Sequence, residues 1–434
     1  MTKAKSLGLL YFWLIVIAVM GLISLNVVQA AGEQKTLDRN VEPVVVKGIQ
    51  VKALLNAPIQ HLFIYTFTNS GLGGRIPVQV DEVTSAEDYT SSEDGLLDNN
   101  DEIVFMAKDL GNRAADTTVL TNTLPISATW YEIKVTDPLE PTKKGWAYLV
   151  RSGTLSAPVG DYVNYISATQ VISATNYKLG LAATYVGFDE LTLNGSSSNI
   201  LDRTKLRISL PLFGTKTEND LGTPVPLLIK DGPVRVILLQ TATAPAGLAN
   251  LANTYLAYAS LLQTTANVSS SLSISKVRTS MDLNSAASGA TFYNVNVPGG
   301  VTIDSNPDSV VQTPLSRWFQ VSQTTGRMIQ VTDLSKVGGN TQKNYYCEGT
   351  AECDGTAKTG DNVSYGDSGF VIEGNVNKNF TTKNILYFLS PASGGSGNMG
   401  TTFEAYFFEP LQICAGEQAG PCSQLFLPLI LKGS

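Results

Sequence analysis

The feature that most constrains the fold is an alternation of apolar and polar residues with a period of two. In residues 75–81, Ile76, Val78 and Val80 share one face, and polar residues point the other way. Such alternation places apolar side chains on one face of a β-strand. The pattern recurs in residues 131–136, 205–210, 293–297 and 403–407. These segments are therefore predicted to be strands.

Turn-forming residues separate the alternating segments. They occur at Asp94-Gly95, Asp231-Gly232-Pro233, Pro298-Gly299-Gly300 and Gly394-Gly395-Ser396-Gly397. Glycine, asparagine, aspartate and proline favour tight reversals of the chain. Many short strands separated by turns predict an all-β fold of antiparallel sheets, arranged as one large or two stacked β-sandwich domains with at most one short helix.

One stretch, which begins at Leu248, fits two structures. Its apolar residues recur at helical spacing, at Leu251, Ala252, Tyr255, Leu256, Ala259 and Leu262. That spacing favours a helix, but residues 254–263 equally fit a buried strand. Both structures remain open at the level of the sequence.

The N-terminus has the three parts of a secretory signal peptide. Lys3 and Lys5 precede an apolar run from Leu7 to about Leu25, and small residues follow at Ala30 and Ala31. Residues 1–31 are therefore predicted to be a cleaved signal, and the protein to be secreted or located at the cell surface. Because the apolar run is nearly long enough to span a bilayer, an uncleaved membrane anchor is the competing interpretation.

The four cysteines form two pairs that are close in sequence, Cys347 with Cys353 and Cys414 with Cys422. An even number of cysteines in an exported chain predicts disulfides, and two local loops are the simplest of the three possible connectivities. The single histidine, His61, argues against a zinc site and against a Ser-His-Asp triad. No catalytic residue is predicted from the sequence.

Composition and linker residues predict how the exported chain is organised. An N-terminal β domain is expected over residues 32–160 and a larger β-sandwich region over 161–410. A disulfide loop with an apolar tail is expected over 411–434. One continuous large sandwich is the alternative. With 30 basic and 37 acidic residues, the formal net charge is −7, which argues against binding to nucleic acid.

An acidic loop at residues 93–102 is a candidate calcium site. Calcium takes six to eight oxygen ligands, and clustered Asp and Asn side chains in a turn can supply them. The predicted ligands are Asp94, Asp98, Asn100 and Asp101. Their spacing differs from that of an EF-hand loop, and a solvated hairpin turn is the alternative interpretation.

A cationic strand is the second candidate site. Arg203, Lys205 and Arg207 are two residues apart, so one face of a strand would present all three side chains. Such a face can bind uronic acids or sulfated sugars. The alternative is an exposed strand face whose charge is balanced by neighbouring carboxylates.

Two sets of residues carry a resemblance to known groups of proteins. The tail Phe426-Leu427-Pro428-Leu429-Ile430-Leu431-Lys432 resembles the C-terminal endings of many secreted proteins from filamentous, gliding-type bacteria. This resemblance implies a sorting or surface-attachment signal, and an edge strand is the alternative. The segments 76–82, 94–105 and 230–236 are similar to uncharacterised bacterial secreted β proteins, a resemblance that implies no established activity.

Two functional hypotheses follow from these features. The first is a secreted or cell-surface β-sandwich protein with a structural or glycan-binding role and calcium as a candidate stabilising ion. The alternative is a secreted carbohydrate-active enzyme, such as a lyase acting on an anionic polysaccharide. Extracellular polysaccharide or the cell envelope is the expected partner in both cases, and a membrane is a partner only if the N-terminal segment stays uncleaved.

Overall fold

The computed structural model describes residues 32–425 except 93, 157–159, 351 and 392–396. The predicted all-β fold is confirmed, because these residues form five antiparallel sheets. The predicted signal peptide at 1–31 and the apolar tail at 426–434 lie outside the described residues. Within the described part of the chain, no helix is long and apolar enough to cross a membrane.

Residues 32–151 supply seven strands to two of the sheets, and the two last strands of the chain join them. These nine strands are β1 (Pro43–Lys47), β2 (Leu62–Thr68), β3 (Gly71–Ile76), β4 (Gln79–Asp81), β5 (Glu102–Met106), β6 (Trp130–Thr136), β7 (Lys144–Arg151), β26 (Gln412–Glu417) and β27 (Cys422–Leu425). One sheet has the order β1-β5-β4 and the other β27-β26-β6-β7-β2-β3. The last two strands of the chain therefore share the six-stranded sheet with four strands from residues 32–151.

The remaining strands form a four-stranded, a five-stranded and a nine-stranded sheet. They are β8 (Val163–Ile166), β9 (Val171–Ala174), β10 (Tyr177–Leu181), β11 (Phe188–Leu193), β12 (Leu201–Leu210), β13 (Gly214–Thr217), β14 (Val225–Asp231), β15 (Arg235–Thr243), β16 (Ala249–Tyr258), β17 (Leu261–Ser270), β18 (Ile274–Leu283), β19 (Thr291–Tyr293), β20 (Val301–Thr302), β21 (Trp318–Gln323), β22 (Gly326–Asp333), β23 (Thr341–Thr350), β24 (Val363–Val376) and β25 (Asn379–Leu389). Their orders are β11-β10-β9-β8, β13-β12-β18-β24-β23 and β14-β15-β16-β17-β25-β22-β21-β19-β20.

The sheets stack in layers, and the three-stranded sheet lies between two cores. Ile103 and Phe105 of β5 pack towards the six-stranded sheet, whereas Val104 and Met106 pack towards the nine-stranded sheet. The opposite face of the nine-stranded sheet and the inner face of the five-stranded sheet enclose the largest core. The predicted domain boundaries at 160 and 410 stay predictions.

The stretch that fitted two structures is a pair of strands. Its residues form β16 and β17, which pair antiparallel, so the buried-strand alternative is confirmed and the helix was wrong. Tyr255 and Ala257 pack into the core against the five-stranded sheet, and Leu256 and Tyr258 into the core on the other side. Because both faces of the strand are buried, apolar residues are not restricted to every second position.

The structure has two short α-helices within its described residues, one more than expected: α1 (Thr118–Thr123) and α2 (Gly400–Phe408). The strand predicted at 403–407 was wrong, since these residues lie in α2. Phe403 and Phe407 satisfy both a period of two and a helical spacing of four residues. Both rings are buried, and the Phe403 ring centroid lies 4.6 Å from that of Tyr387 in the nine-stranded sheet.

A buried ion cluster joins the three-stranded and nine-stranded sheets. The Arg235 guanidinium donates to the carboxylates of Asp81 at 2.8 Å and Glu102 at 2.6 Å, and to the hydroxyl of Tyr258 at 2.9 Å. All four residues are buried. The three segments that resemble bacterial secreted β proteins therefore meet at this cluster, which we call the Arg235 cluster.

Gln79 and Gly232 complete the Arg235 cluster. The Gln79 amide oxygen accepts the backbone N–H groups of Val234 at 3.1 Å and Arg235 at 2.9 Å. A Cβ atom added at Gly232 would lie 2.2 Å from that oxygen. A larger residue at position 232 would therefore push the Gln79 side chain away from these hydrogen bonds.

Candidate functional site

A polar cleft lies on the outer face of the five-stranded sheet. Alternate residues of its strands face opposite ways, so that Ile208 and Val277 enter the core while Arg207 and Arg278 point outwards. The cleft has a volume of about 260 Å³. Its charged lining residues are Arg207, Lys276, Arg278, Lys343, Asp354 and Glu373. With four cations and two carboxylates, the lining carries an excess of positive charge.

The cations predicted on β12 share one face of the strand, but they are not exposed. Lys205 is 6% and Arg207 4% exposed. Arg207 lines the cleft, whereas Lys205 is buried next to it. Arg203 turns towards Tyr185, with its guanidinium carbon 4.9 Å from the ring centroid. The structure thus brings the three side chains together beneath residues 354–360. Their role in ligand binding stays a prediction.

Carboxylates from distant parts of the chain neutralise these cations. The Lys205 amine lies 2.6 Å from Asp282, 3.2 Å from Asp354 and 3.5 Å from Asp367. Arg207 lies 2.5 Å from Glu218 and 2.8 Å from Asp354. Together with Arg203 and Arg278, these cations face four carboxylates, so the buried part of the site carries no excess positive charge.

Asp354 is the centre of this network. Its carboxylate contacts Lys205, Arg207 and Arg278, and its side chain is 3% exposed. Burial would raise the pKa of Asp354, but the three cations outweigh burial and lower it. Asp354 is therefore ionised at neutral pH and holds three cations at the floor of the cleft.

A disulfide holds Asp354 in place. The bond between Cys347 and Cys353, one of the two predicted, is present and closes the turn immediately before Asp354. The second predicted bond joins Cys414 to Cys422. Cys414 is buried in β26, but the side chain of Cys422 lies outside the described residues, so this bond stays a prediction.

The open part of the cleft contains two lysines that share one carboxylate. The amine of Lys276 lies 3.0 Å and that of Lys343 3.1 Å from Glu373. The side chains of the two lysines are 43% and 33% exposed. Hydrogen bonds from Lys276 and then Lys343 lower the pKa of Glu373. This half-exposed group carries one positive charge in excess.

Tyr345 adds a hydroxyl group to the wall of the cleft. Its oxygen is buried, and no described residue forms a hydrogen bond with it. The Arg278 guanidinium carbon lies 4.2 Å from the centroid of its ring. Burial and then the charge of Asp367 raise the pKa of Tyr345, so the hydroxyl stays protonated at neutral pH. A bound polar ligand would give this hydroxyl the partner that it lacks.

The sequence did not predict most of these cleft residues. Lys276, Arg278, Ser280 and Asp282 occupy every second position along β18, a polar alternation like the one that singled out β12. That signal was available in the sequence. Asp354 carried no such signal, because it lies in a turn and not in an alternating strand. It contacts Arg207 of β12, from which about 150 residues separate it in the sequence.

The acidic loop is held in place by hydrogen bonds within the loop and to residues 83–84. The Asp101 carboxylate accepts the backbone N–H groups of Val83 at 3.0 Å and Asp98 at 2.6 Å. Asp94 accepts the N–H of Leu96 at 2.8 Å, and the Asn100 amide donates to a backbone oxygen at 3.1 Å. Calcium binding by these residues stays a prediction.

A second group of acidic side chains lies beside the cationic strand. Carboxylate oxygens of Asp202, Asp282 and Asp361 come within 4.8 Å of one another, the one such group among the described residues. The Lys205 amine, 2.6 Å from Asp282, already supplies positive charge there. This contact reduces the attraction of the group for a metal ion.

Comparisons with known proteins give structural likenesses alone. No family model matches the chain, and no curated protein matches it. An α-mannosidase from Enterococcus faecalis V583 is 9% identical, with 90% of this chain and 45% of that chain covered and a TM-score of 0.44. The heparan sulfate lyase HepC from Pedobacter heparinus is 12% identical, with 65% and 45% covered and a TM-score of 0.35.

An α-N-acetylgalactosaminidase, NagBb from Bifidobacterium bifidum, is 13% identical, with 51% of this chain and 36% of that chain covered and a TM-score of 0.37. The chain thus spans between about a third and a half of the length of these three enzymes. Similarity at this level identifies no function for the cleft.

Proposed function

We propose that the protein is an exported β-sandwich protein that binds an anionic glycan in the cleft on the outer face of the five-stranded sheet. The observation that carries this proposal is the pair of partly exposed lysines, Lys276 and Lys343, that share one carboxylate in the open part of the cleft, in a chain with a formal net charge of −7. A positively charged cleft on a protein with a negative net charge attracts negatively charged ligands.

The polar groups of the cleft support a saccharide as the ligand. Lys276 and Lys343 are exposed enough to reach a carboxylate or sulfate group. The Tyr345 hydroxyl lacks a partner in the described protein, and Ser209 and Thr215 line the same cleft. Hydroxyl donors and acceptors next to cations match a sugar ring that carries an acidic substituent.

A lyase acting on an anionic polysaccharide is the second candidate function. Two observations favour it: Glu373 is ionised and Tyr345 is protonated in the same cleft. In such a reaction, Glu373 would take a proton from the carbon next to the uronate carboxylate and Tyr345 would protonate the departing glycosidic oxygen. Since two lysines lower the pKa of Glu373, it is a weak base, and we therefore place binding first.

The test is calorimetric titration of the protein with heparin-derived, polygalacturonate and neutral cello-oligosaccharides. We expect heat from an acidic oligosaccharide and none from the neutral one. Equal binding to the neutral oligosaccharide, or no binding to any acidic one, would contradict the proposal. Ultraviolet absorbance of unsaturated uronate products, followed in the same samples, distinguishes a lyase from a binding protein.

Secretion and calcium binding remain part of the proposal. The N-terminal residues 1–31 support export as a sequence pattern. A calcium ion bound by Asp94, Asp98, Asn100 and Asp101 would stabilise the folded state, so its removal would lower the melting temperature. Melting curves with calcium and with EDTA measure this effect, and superimposable curves would rule the ion out.

A further inference from the structure

A second cavity, separate from the cleft, lies at one end of the core between the five-stranded and nine-stranded sheets. Its walls are almost entirely apolar and include Ile208, Leu210, Leu221, Val268 and Ile274. Its volume is about 150 Å³. A dry, apolar cavity of roughly this volume accommodates a benzene molecule. The cavity therefore has room for an apolar group of about six carbon atoms.

One positive charge lies in the wall of this cavity. The amine of Lys216, a half-buried residue of β13, has no hydrogen-bond or ion-pair partner among the described residues. Asp220 also lines the cavity, but its carboxylate accepts hydrogen bonds from the backbone N–H and the hydroxyl of Thr217 at 2.7 and 2.9 Å. Lys216 is thus available to an anionic group.

Two exposed apolar side chains lie in the turn that borders the same cavity. Phe213 lines it and is 52% exposed. Leu212, in the turn between β12 and β13, is fully exposed and has a φ angle of +72°. A bulky residue at positive φ costs free energy, and such strain is a feature of ligand-binding segments. A ligand that continues out of the cavity would cover both side chains.

We propose that this cavity binds the aliphatic end of a small anionic amphiphile, with Lys216 paired to its carboxylate. The apolar wall removes the aliphatic chain from water, and the unpaired amine selects the negative charge at the mouth. This pattern of a mostly apolar pocket with a few orienting polar groups is typical of small-molecule sites. The proposal does not depend on glycan binding in the cleft.

Octanoate is the probe, because its chain is longer than the cavity and its carboxylate is ionised at neutral pH. Calorimetry should show one site in the wild-type protein. Leu210→Trp, which fills the cavity, should weaken binding at least tenfold. Lys216→Gln should weaken it about threefold, the effect of one partly exposed ion pair. Lys52→Gln, at an exposed lysine of the N-terminal region, is the matched control and should bind normally.

Octanol and the oligomeric state complete the test. The neutral alcohol should bind equally well to the wild type and to Lys216→Gln, since it lacks the charge that Lys216 recognises. No heat with octanoate, or unchanged octanoate binding by Lys216→Gln, would overturn the proposal even if Leu210→Trp failed to fold. The wild-type protein could instead be a dimer that Leu212→Ser converts to a monomer. The exposed side chains of Leu212 and Phe213 would then bind a second copy of the chain, and this result would also overturn the proposal.

Discussion

The Arg235 cluster and the cleft are both networks of opposite charges, but they differ in solvent exposure and charge balance. The side chains of Arg235, Asp81 and Glu102 are at most 3% exposed, and two carboxylates surround one cation. In the cleft, Lys276 and Lys343 remain partly exposed and share Glu373 alone. The first network is closed to solvent, whereas the second has both an opening and unbalanced charge.

The effect of an ion network on stability therefore depends more on whether it is buried than on how many charges it contains. A buried pair is costly to break, because the remaining partner keeps an uncompensated charge away from water. An exposed pair contributes little to stability, since water already solvates both partners. The Arg235 cluster is therefore expected to determine stability, and the cleft to determine binding.

The largest effect is expected for Arg235→Met. Removal of the guanidinium leaves Asp81 and Glu102 buried without the cation that contacts both of them, which should lower the free energy of unfolding by about 3–5 kcal/mol. Urea denaturation measures this change. Lys276→Gln is the comparison variant and should change the same free energy by less than about 0.5 kcal/mol. Equal effects of the two variants would remove the distinction between the networks.

The next effect is expected on removal of the disulfide that bounds the cleft. Replacing Cys347 and Cys353 by serine should lower the free energy of unfolding by about 2 kcal/mol, the value for a short closed loop. Because Asp354 follows Cys353 directly, the double variant should also lose affinity for the acidic oligosaccharide. If the folded double variant kept its affinity for the oligosaccharide, the disulfide would not be needed for binding in the cleft.

A smaller effect is expected for Glu373→Gln, which should raise the affinity for the ligand. Loss of this carboxylate frees Lys276 and Lys343, so affinity for a sulfated oligosaccharide should rise about two- to fivefold at neutral pH. Calorimetry of the variant against the wild type measures the change. Weaker binding by Glu373→Gln would mean that the carboxylate itself contacts the glycan.

Protonation of Glu373 is expected to make the affinity for the oligosaccharide depend on pH. Because the pKa of Glu373 is lowered from its usual 4.5, its ion pairs are complete above that pH and are lost as pH falls through the lower, folded-state value. The affinity of the wild type for a sulfated oligosaccharide should therefore rise as the pH falls below 4.5, since sulfate stays charged. Glu373→Gln should not show this rise.

The sequence predicted the fold class better than it predicted the elements and the site. Alternation identified β12 and its three cations, because a half-buried strand needs one apolar face. It failed where both faces are buried, as in β16, and where Phe403 and Phe407 fit a helix as well as a strand. The cations of β12 and Asp354 come together only through the fold, so no local pattern could pair them.

The most direct test is titration of a heparin-derived oligosaccharide into the wild-type protein and into a variant with both Lys276→Gln and Lys343→Gln, at low and high ionic strength. We predict that the wild type binds less tightly at high salt, because ions screen exposed charges. The double variant should bind at least tenfold more weakly at low salt and keep its stability. Lys178→Gln, at an exposed lysine of β10, should match the wild type. Wild-type affinity in the double variant would contradict the assignment of the cleft.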